Sequence, residues 1–159
     1  MMPSIQAVAG AAGAALAIAI MELASTSTEF PLMAIPFATS IVLVMGSPDA
    51  EPAQPRALVG GHLVSALVGL LTVHLIGPGP MAAALAVGLA ILAMHATRTF
   101  HPPAGIDPLV IAVHGMPWTF LLAPVAVGAL MLAAFAFSWH NLVNHRARGG
   151  SLTWPARWW

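Results

Sequence analysis

Six apolar stretches, separated by proline and glycine, constrain the fold of this chain more than any other feature. The hydrocarbon core of a bilayer is about 30 Å thick, and about 20 helical residues cross it. Only 6% of the residues are charged, against roughly 25% in soluble domains, so a water-soluble globular domain is excluded. The sequence predicts an all-α integral membrane protein with one domain over residues 1–145. The stretches cover about residues 4–24, 32–46, 57–77, 80–97, 104–115 and 118–139.

Two of these stretches, 32–46 and 104–115, are short and resemble each other. Each follows a proline-containing break and ends in a Gly-x-Pro turn, at 46–48 and 115–117. Each half therefore consists of a long helix, a break, a short helix and a second long helix. Interrupted segments at matching positions of two halves indicate a transporter site. We predict a 3+3 repeat with halves 4–77 and 80–139; the alternative is a likeness of apolar composition alone.

The arginines, which are the only basic residues besides histidine, test the topology. If all six segments cross, every arginine lies on one side, both termini are cytoplasmic and the repeats are inverted. If the short segments re-enter instead, the repeats are parallel. We expect six crossings of a bacterial inner (plasma) membrane, with residues 146–159 as an interfacial tail. The arginines are Arg56, Arg98, Arg146, Arg148 and Arg157.

The densest polar cluster surrounds the break before the second short segment. A proline pair ends one helix there and begins the next. The first turn of that next helix has unpaired N–H groups and a partial positive charge, which suits an anion. We predict that Arg98 and His101 add donors to this site. The alternative is a structural corner whose arginine reaches the lipid headgroups. The cluster comprises His95, Arg98, His101, Pro102, Pro103 and Asp107.

The first half has a related corner, where Thr39 and Ser40 begin the first short segment. Their hydroxyl groups could donate hydrogen bonds to the same anion. The alternative is that they bond back to their own helix, as serine and threonine commonly do.

A stripe of small residues, Gly61, Ser65 and Gly69, follows one face of the third segment. Small residues at intervals of four allow helices to approach closely. We expect this stripe to pack helices in a homo-oligomer. His62 lies beside it and needs a polar partner in an apolar helix, so we place it on the permeation path.

Ionisable groups at membrane depth are costly and therefore indicate function. We therefore select two histidines, His101 and His95, and two carboxyl groups, Asp107 and Glu22, as candidates for proton coupling. Histidine suits this role because it titrates near neutral pH. The chain has no cysteine, lysine or tyrosine, and its histidines show no tight metal-binding spacing. We expect no enzyme activity, no cofactor and no metal site. A net charge of zero gives no support for nucleic-acid binding.

The segment Phe100-His101-Pro102-Pro103-Ala104-Gly105 resembles the motif of the HPP family of integral membrane proteins. Blocks 36–40, 54–56 and 59–66 are similar to other parts of that family, in the same order. The resemblance implies a transmembrane protein with relatives associated with nitrite transport, and it adds Ala104 and Gly105 to the predicted site. Asp107 departs from the expectation, because an ionised carboxylate there would repel an anion.

Together these features predict a membrane transporter or channel for a small inorganic anion, and the family resemblance makes nitrite the first candidate. Whether it is a channel or a proton-coupled carrier stays open. The alternative from another class is a membrane module that senses a ligand or docks a partner without transport.

Overall fold

The computed structural model describes residues 4–27, 35–143 and 154–157, and within them the fold is helical. The predicted tail therefore lies outside the described residues, apart from 154–157. Three short 3₁₀ turns and two π-helical segments accompany the α-helices. The helices are α1 (Ile5–Ser27), α2 (Ala38–Gly46), α3 (Pro55–Ile76), α4 (Pro80–Ala96), α5 (Ile106–His114) and α6 (Val127–Ser138). The 3₁₀ turns are Ile35–Phe37, Glu51–Ala53 and Pro102–Gly105, and the π segments are Leu121–Ala126 and Trp139–Val143.

The prediction of six helical segments, two of them short, is confirmed. The short helices α2 and α5 have nine residues each, and each follows a 3₁₀ turn that contains proline. Proline fixes φ and removes an N–H group, so it favours the first turn of a helix over the middle. The two halves thus share the order of long helix, 3₁₀ turn, short helix and long helix.

The segment from Thr99 to Gly115 runs beside α3 and parallel to it. Near its start, Thr99 and His101 lie against Gly60 and Gly61, and Pro108 lies against Gly69 further along. Near its end, the Ala112 carbonyl accepts a hydrogen bond from the Gly79 N–H, just beyond α3. From Gly60 to Ile76, α3 rises about 24 Å. The broken segment therefore extends over most of the thickness of a bilayer core, although α5 alone is too short.

The corresponding helices of the two halves run in opposite directions. The α4 helix returns antiparallel to α3, since Arg56 at the start of α3 bonds to Thr97 at the end of α4. The α6 helix also runs antiparallel to α3, because the π segment before it clusters with Leu70, whereas α6 itself clusters with Leu58. The α2 helix ends beside the start of α1, where Gly10 lies against the Met45 carbonyl. Directions therefore reverse between α1 and α4, α2 and α5, and α3 and α6. This is the arrangement of an inverted repeat, in which the first turns of α2 and α5 meet in the interior.

The described residues combine an apolar core with a largely apolar surface and a small set of buried polar side chains. Leucines such as Leu75, Leu92 and Leu122 are exposed, whereas His62, His101 and Asp107 are fully buried. Such a surface suits a hydrocarbon solvent. Three helices are long and apolar enough to span a bilayer, and Pro80–Ala96 is a shorter apolar helix. The chain is therefore an integral membrane protein. The long helices are Ile5–Thr26, Pro55–Ile76 and Leu121–Val143.

The stripe of small residues on α3 packs within the chain, which corrects the expected role of the stripe. A Cβ built on Gly61 would lie 2.5 Å from the Cβ of His101, and one on Gly69 would lie 2.7 Å from the Cα of Pro108. The Ser65 hydroxyl donates to the Ala104 carbonyl at 2.6 Å. This face of α3 is already covered, so it is not available to a second copy. A homo-oligomer stays a prediction and would need another surface.

Candidate functional site

A continuous chain of hydrogen bonds lies where α2, α3 and α5 meet. Ser40 Oγ is 2.8 Å from His62 Nε2 and 2.9 Å from His101 Nε2. The other ring nitrogen of His62 is 2.7 Å from Asp107 Oδ2, and that of His101 is 2.6 Å from the Pro52 carbonyl oxygen. All four side chains are fully buried. We call Ser40, His62, His101 and Asp107 the buried chain.

Each member of the buried chain comes from a different part of the sequence. Ser40 is in the first turn of α2, and His62 is in the second turn of α3. His101 precedes the third 3₁₀ turn, while Asp107 belongs to the first turn of α5. At 1.5 Å per residue, His62 lies about 11 Å along α3 from Pro55. The buried chain is therefore inside the bundle, about a third of the way along α3.

Asp107 takes the place at which the sequence predicted a bound anion. A helix N-terminus carries a partial positive charge that stabilises negative charge, on a bound anion or on a carboxylate, and Asp107 occupies that end of α5. The preceding 3₁₀ turn also bonds internally, with Ala104 N–H donating to the His101 carbonyl. The first turn of α5 therefore offers less to an external anion than the sequence predicts.

Aromatic packing and close backbone contact fix the rings of the buried chain. The Phe37 ring lies 4.4 Å from the His62 ring, centroid to centroid, and the two histidine rings are 5.2 Å apart. Phe37 is fully buried and lies against Gly128, the residue of α6 where a Cβ would clash with the ring. Both imidazoles therefore have one well-defined position.

A separate, open pocket lies at the end of the bundle where α3 begins. It has a volume of about 440 Å³. Three guanidinium groups and one carboxylate line it, which gives an excess of positive charge. We call it the arginine pocket. Its lining residues are Glu51, Pro52, Gln54, Arg56, Ala57, His95, Arg98, Phe100 and Arg157.

Several contacts shape the arginine pocket. Arg98 has φ of 55°, a left-handed conformation that is uncommon outside glycine. Arg56 donates to the Thr97 carbonyl at 3.0 Å. Gln54 is buried, and its Oε1 accepts from the backbone N–H groups of Ala156 and Arg157. The C-terminal segment thereby brings its arginine to the same pocket.

The structure brings some of the predicted site residues together and separates others. Ser40, His62, His101 and Asp107 meet, but Arg98 does not share a site with His101 as the sequence predicted. Arg98 and His95 line the arginine pocket, where His95 stacks on Phe100 at 4.2 Å. The separation follows from the break after α4, which turns Arg98 outward while His101 points between α2 and α3.

The remaining predicted residues lie at the margins. Thr39 and Pro102 are exposed, Pro103 and Gly105 are half-buried, and Ala104 is buried. The Ala104 carbonyl accepts from Ser65. Glu22 is exposed on α1, away from the contacts of the buried chain. Thr39 therefore contributes no hydrogen bond to the buried chain, whereas the Ser40 hydroxyl group links its two histidines.

Sequence reasoning missed the Pro52 carbonyl and the partner of Asp107. The segment Gln54-Pro55-Arg56 resembles part of the HPP family. This resemblance was the signal in the sequence for the arginine pocket, which Gln54 and Arg56 line. No local pattern pairs His62 with Asp107, because 45 residues separate them. Among the described residues, no group of three or more histidine, aspartate and glutamate side chains is arranged to hold a metal ion.

A comparison with protein families matches the sequence of this chain to one family. The model of the HPP transmembrane region matches residues 1–148, which is nearly the whole chain and includes the arginine pocket's Arg56 and Arg98. The chain belongs to the HPP family. The resemblance carried by Phe100–Gly105 is thereby confirmed, and the buried chain has its His101 within that motif.

Two curated relatives are transmembrane proteins of Dictyostelium discoideum. One is 38% identical over 131 residues, covering 77% of this chain and 40% of the relative. The other is 39% identical over 132 residues, covering 77% of this chain and 44% of the relative. This HPP chain thus spans about two fifths of the length of the relatives it matches. No solved structure matches it.

Proposed function

We propose that this HPP chain is a transporter or channel for a small inorganic anion, with nitrite as the first candidate. The observation that carries the proposal is the arginine pocket, in which Arg56, Arg98 and Arg157 surround one cavity at one end of a membrane bundle. Guanidinium groups bind small oxyanions through charge-assisted hydrogen bonds. The choice of nitrite comes from the family resemblance.

The arginine pocket adjoins the interior of the bundle at one residue. Pro52 lines the pocket, and its carbonyl oxygen accepts the hydrogen bond of the His101 ring. An anion collected by the arginines would meet the buried chain once this contact opens. Two short helices whose first turns meet in the interior supply the break in the bundle that transporters of this kind use.

The described arginines also support an orientation. All three lie at the same end, while the turn at Gly77–Gly79 and the end of α5 lie at the other. By the positive-inside rule, the arginine pocket would face the cytoplasm. In a bacterium the pocket would then lie on the inner side of the plasma membrane.

Nitrite uptake into vesicles containing the purified chain tests the proposal. Arg98→Ala removes a charge-assisted donor from the pocket, and His101→Ala removes the ring that contacts Pro52. Each is expected to lower the initial rate at least about tenfold, because such a bond contributes about 1.4 kcal/mol or more. His114→Ala is the control, since His114 is exposed at the opposite end. Unchanged uptake in both variants would remove these residues from the mechanism.

The absence of any uptake by the wild-type chain would favour the second class of function, a module that senses a ligand. In that case nitrite binding to the arginine pocket, measured by calorimetry on the same preparation, would still depend on Arg98. Vesicles without protein give the rate at which nitrous acid leaks through the lipid.

A further inference from the structure

The hydrogen-bond directions in the buried chain follow from one group that can act only as an acceptor, the Pro52 carbonyl. The Pro52 carbonyl can only accept, so the His101 nitrogen beside it must carry a proton. A neutral His101 then accepts at Nε2, and the Ser40 hydroxyl donates to it. Ser40 Oγ in turn accepts from the Nε2–H of His62. The remaining nitrogen of His62, Nδ1, faces Asp107 Oδ2 at 2.7 Å.

The proton shared by His62 and Asp107 can be bonded to either residue in this arrangement. It lies either on Asp107, as a neutral acid that donates to His62, or on His62, as a cation beside a carboxylate. The second oxygen, Asp107 Oδ1, is buried and has no hydrogen-bond partner among the described residues. A carboxylate oxygen without a partner in an apolar interior costs far more than the carbonyl oxygen of a neutral acid. The end of α5 favours a carboxylate by about 2 kcal/mol at most, which is less than the cost of an unpartnered buried charge. The neutral form therefore fits these contacts better.

We infer that the buried chain is a proton-carrying site, in which one proton moves between Asp107 and His101 through His62 and Ser40. One part of this inference, that the proton is transported together with the anion, rests on the proposed function. The inference also answers the difficulty that Asp107 raises: while Asp107 holds the proton it is a neutral acid that does not repel an anion, and after the transfer its charge is balanced by the cationic His101.

The transfer balances without any other reactant. Asp107 Oδ2 gives its proton to His62 Nδ1, His62 Nε2 gives its proton to Ser40 Oγ, and Ser40 gives its own to His101 Nε2. Three O–H or N–H bonds break and three form. Asp107 becomes a carboxylate, His101 becomes a cation, and the buried chain remains neutral as a whole. The proton has then moved to the histidine that contacts the wall of the arginine pocket.

The surroundings of the buried chain contain few other ionisable groups. Glu51 of the second 3₁₀ turn and Arg56 of α3 lie on the far side of Pro52. They line the arginine pocket together with Arg98, His95 and Arg157. From the π segment after α6, His140 bonds to the Val44 carbonyl, one turn along α2 from Ser40. Within the described residues, Asp107 is thus the carboxyl group of the buried chain, and His62 is its bonded partner.

Infrared spectroscopy of the full chain in lipid vesicles tests the protonation directly, without any transport. At neutral pH the wild type is expected to show the C=O stretch of a protonated carboxylic acid. Asp107→Asn should abolish this band, and Asp49→Asn, at an exposed position, should leave it. A wild-type spectrum without the band, or a band that Asp107→Asn retains, would overturn the inference.

Uptake driven by a proton gradient tests the path through Ser40. An inwardly directed gradient should accelerate nitrite uptake by the wild type beyond the leak of protein-free vesicles. Ser40→Ala removes the central hydroxyl group and should abolish this acceleration, whereas Ser40→Thr keeps the hydroxyl and should retain most of it. Full acceleration in Ser40→Ala would overturn the path. If the wild type takes up no nitrite at all, the proposed function and the coupling fail, while the infrared band still decides where the proton lies.

Discussion

At the scale of single residues, the charge of Asp107 determines how the interior of the bundle can work. Burying an ion pair is expensive, and removing one partner leaves an uncompensated charge. A neutral acid that donates to a neutral histidine avoids this cost and satisfies the shared bond. The same side chain that appeared unfavourable for anion binding then becomes a donor in a chain of hydrogen bonds.

Asp107→Asn tests this protonation state through stability. The asparagine NH₂ group can donate to His62 Nδ1 as the acid does, so we expect the free energy of unfolding to change by about 1 kcal/mol or less. Asp107→Leu has no donor and should cost about 1–3 kcal/mol. Chemical denaturation in detergent micelles gives both values. A loss of about 3–5 kcal/mol in Asp107→Asn would indicate an ion pair with a charged His62.

Several of these residues could be selected from the sequence, but their contacts could not. Ser40, His62 and His101 each stood out as a polar group in an apolar segment. That His62 bonds to Asp107, and that His101 faces away from Arg98, depends on the register between α3 and the segment 99–115. This register is set by tertiary packing, which no local pattern shows.

At the scale of elements, the register of α3 against the broken segment depends on glycine. Gly60, Gly61 and Gly69 face that segment at distances that leave no room for a Cβ. Intervals of four residues correctly predicted a close helix contact, but the sequence could not show that the partner belongs to the same chain. The breaks before α2 and α5 were predictable, because proline imposes them locally.

Gly61→Ala tests the close approach, with Gly88→Ala as its matched control. The new Cβ at position 61 would meet the Cβ of His101 and the Thr99 carbonyl, so we expect a loss of about 1–3 kcal/mol in the free energy of unfolding. Nothing lies within 4 Å of a Cβ at Gly88, and alanine favours helix, so that variant should be neutral or stabilised by up to about 1 kcal/mol. Equal effects in the two variants would contradict this packing.

At the scale of the whole molecule, opposite helix directions in the two halves accompany the gathering of the described arginines, Arg56, Arg98 and Arg157, at one end. The sequence predicted this inverted arrangement from six crossings and from the positions of Arg56 and Arg98. The contacts of the second half support a crossing by the segment 99–115. For the first half, the connection between α1 and α2 lies partly outside the described residues. The crossing by the segment 32–46 therefore stays a prediction.

Single-cysteine labelling tests the crossing, and the absence of natural cysteine makes it direct. Thr97 and His114 are both exposed and flank the broken segment. A maleimide that cannot cross the membrane should label Thr97→Cys from one side of oriented vesicles and His114→Cys from the other. Gln6→Cys, at the start of α1, should react from the same side as Thr97→Cys. Labelling of positions 97 and 114 from the same side would show a re-entrant segment instead.

The dependence of nitrite uptake on membrane potential tests the central claim most directly. An anion that moves with one proton carries no net charge, so the account predicts equal initial rates in vesicles held inside-positive, inside-negative or at zero potential by a potassium ionophore. Arg98→Ala should lower all three rates alike, and protein-free vesicles supply the background. A wild-type rate that rises steeply when the interior is positive would contradict the account, because it would show the anion crossing alone.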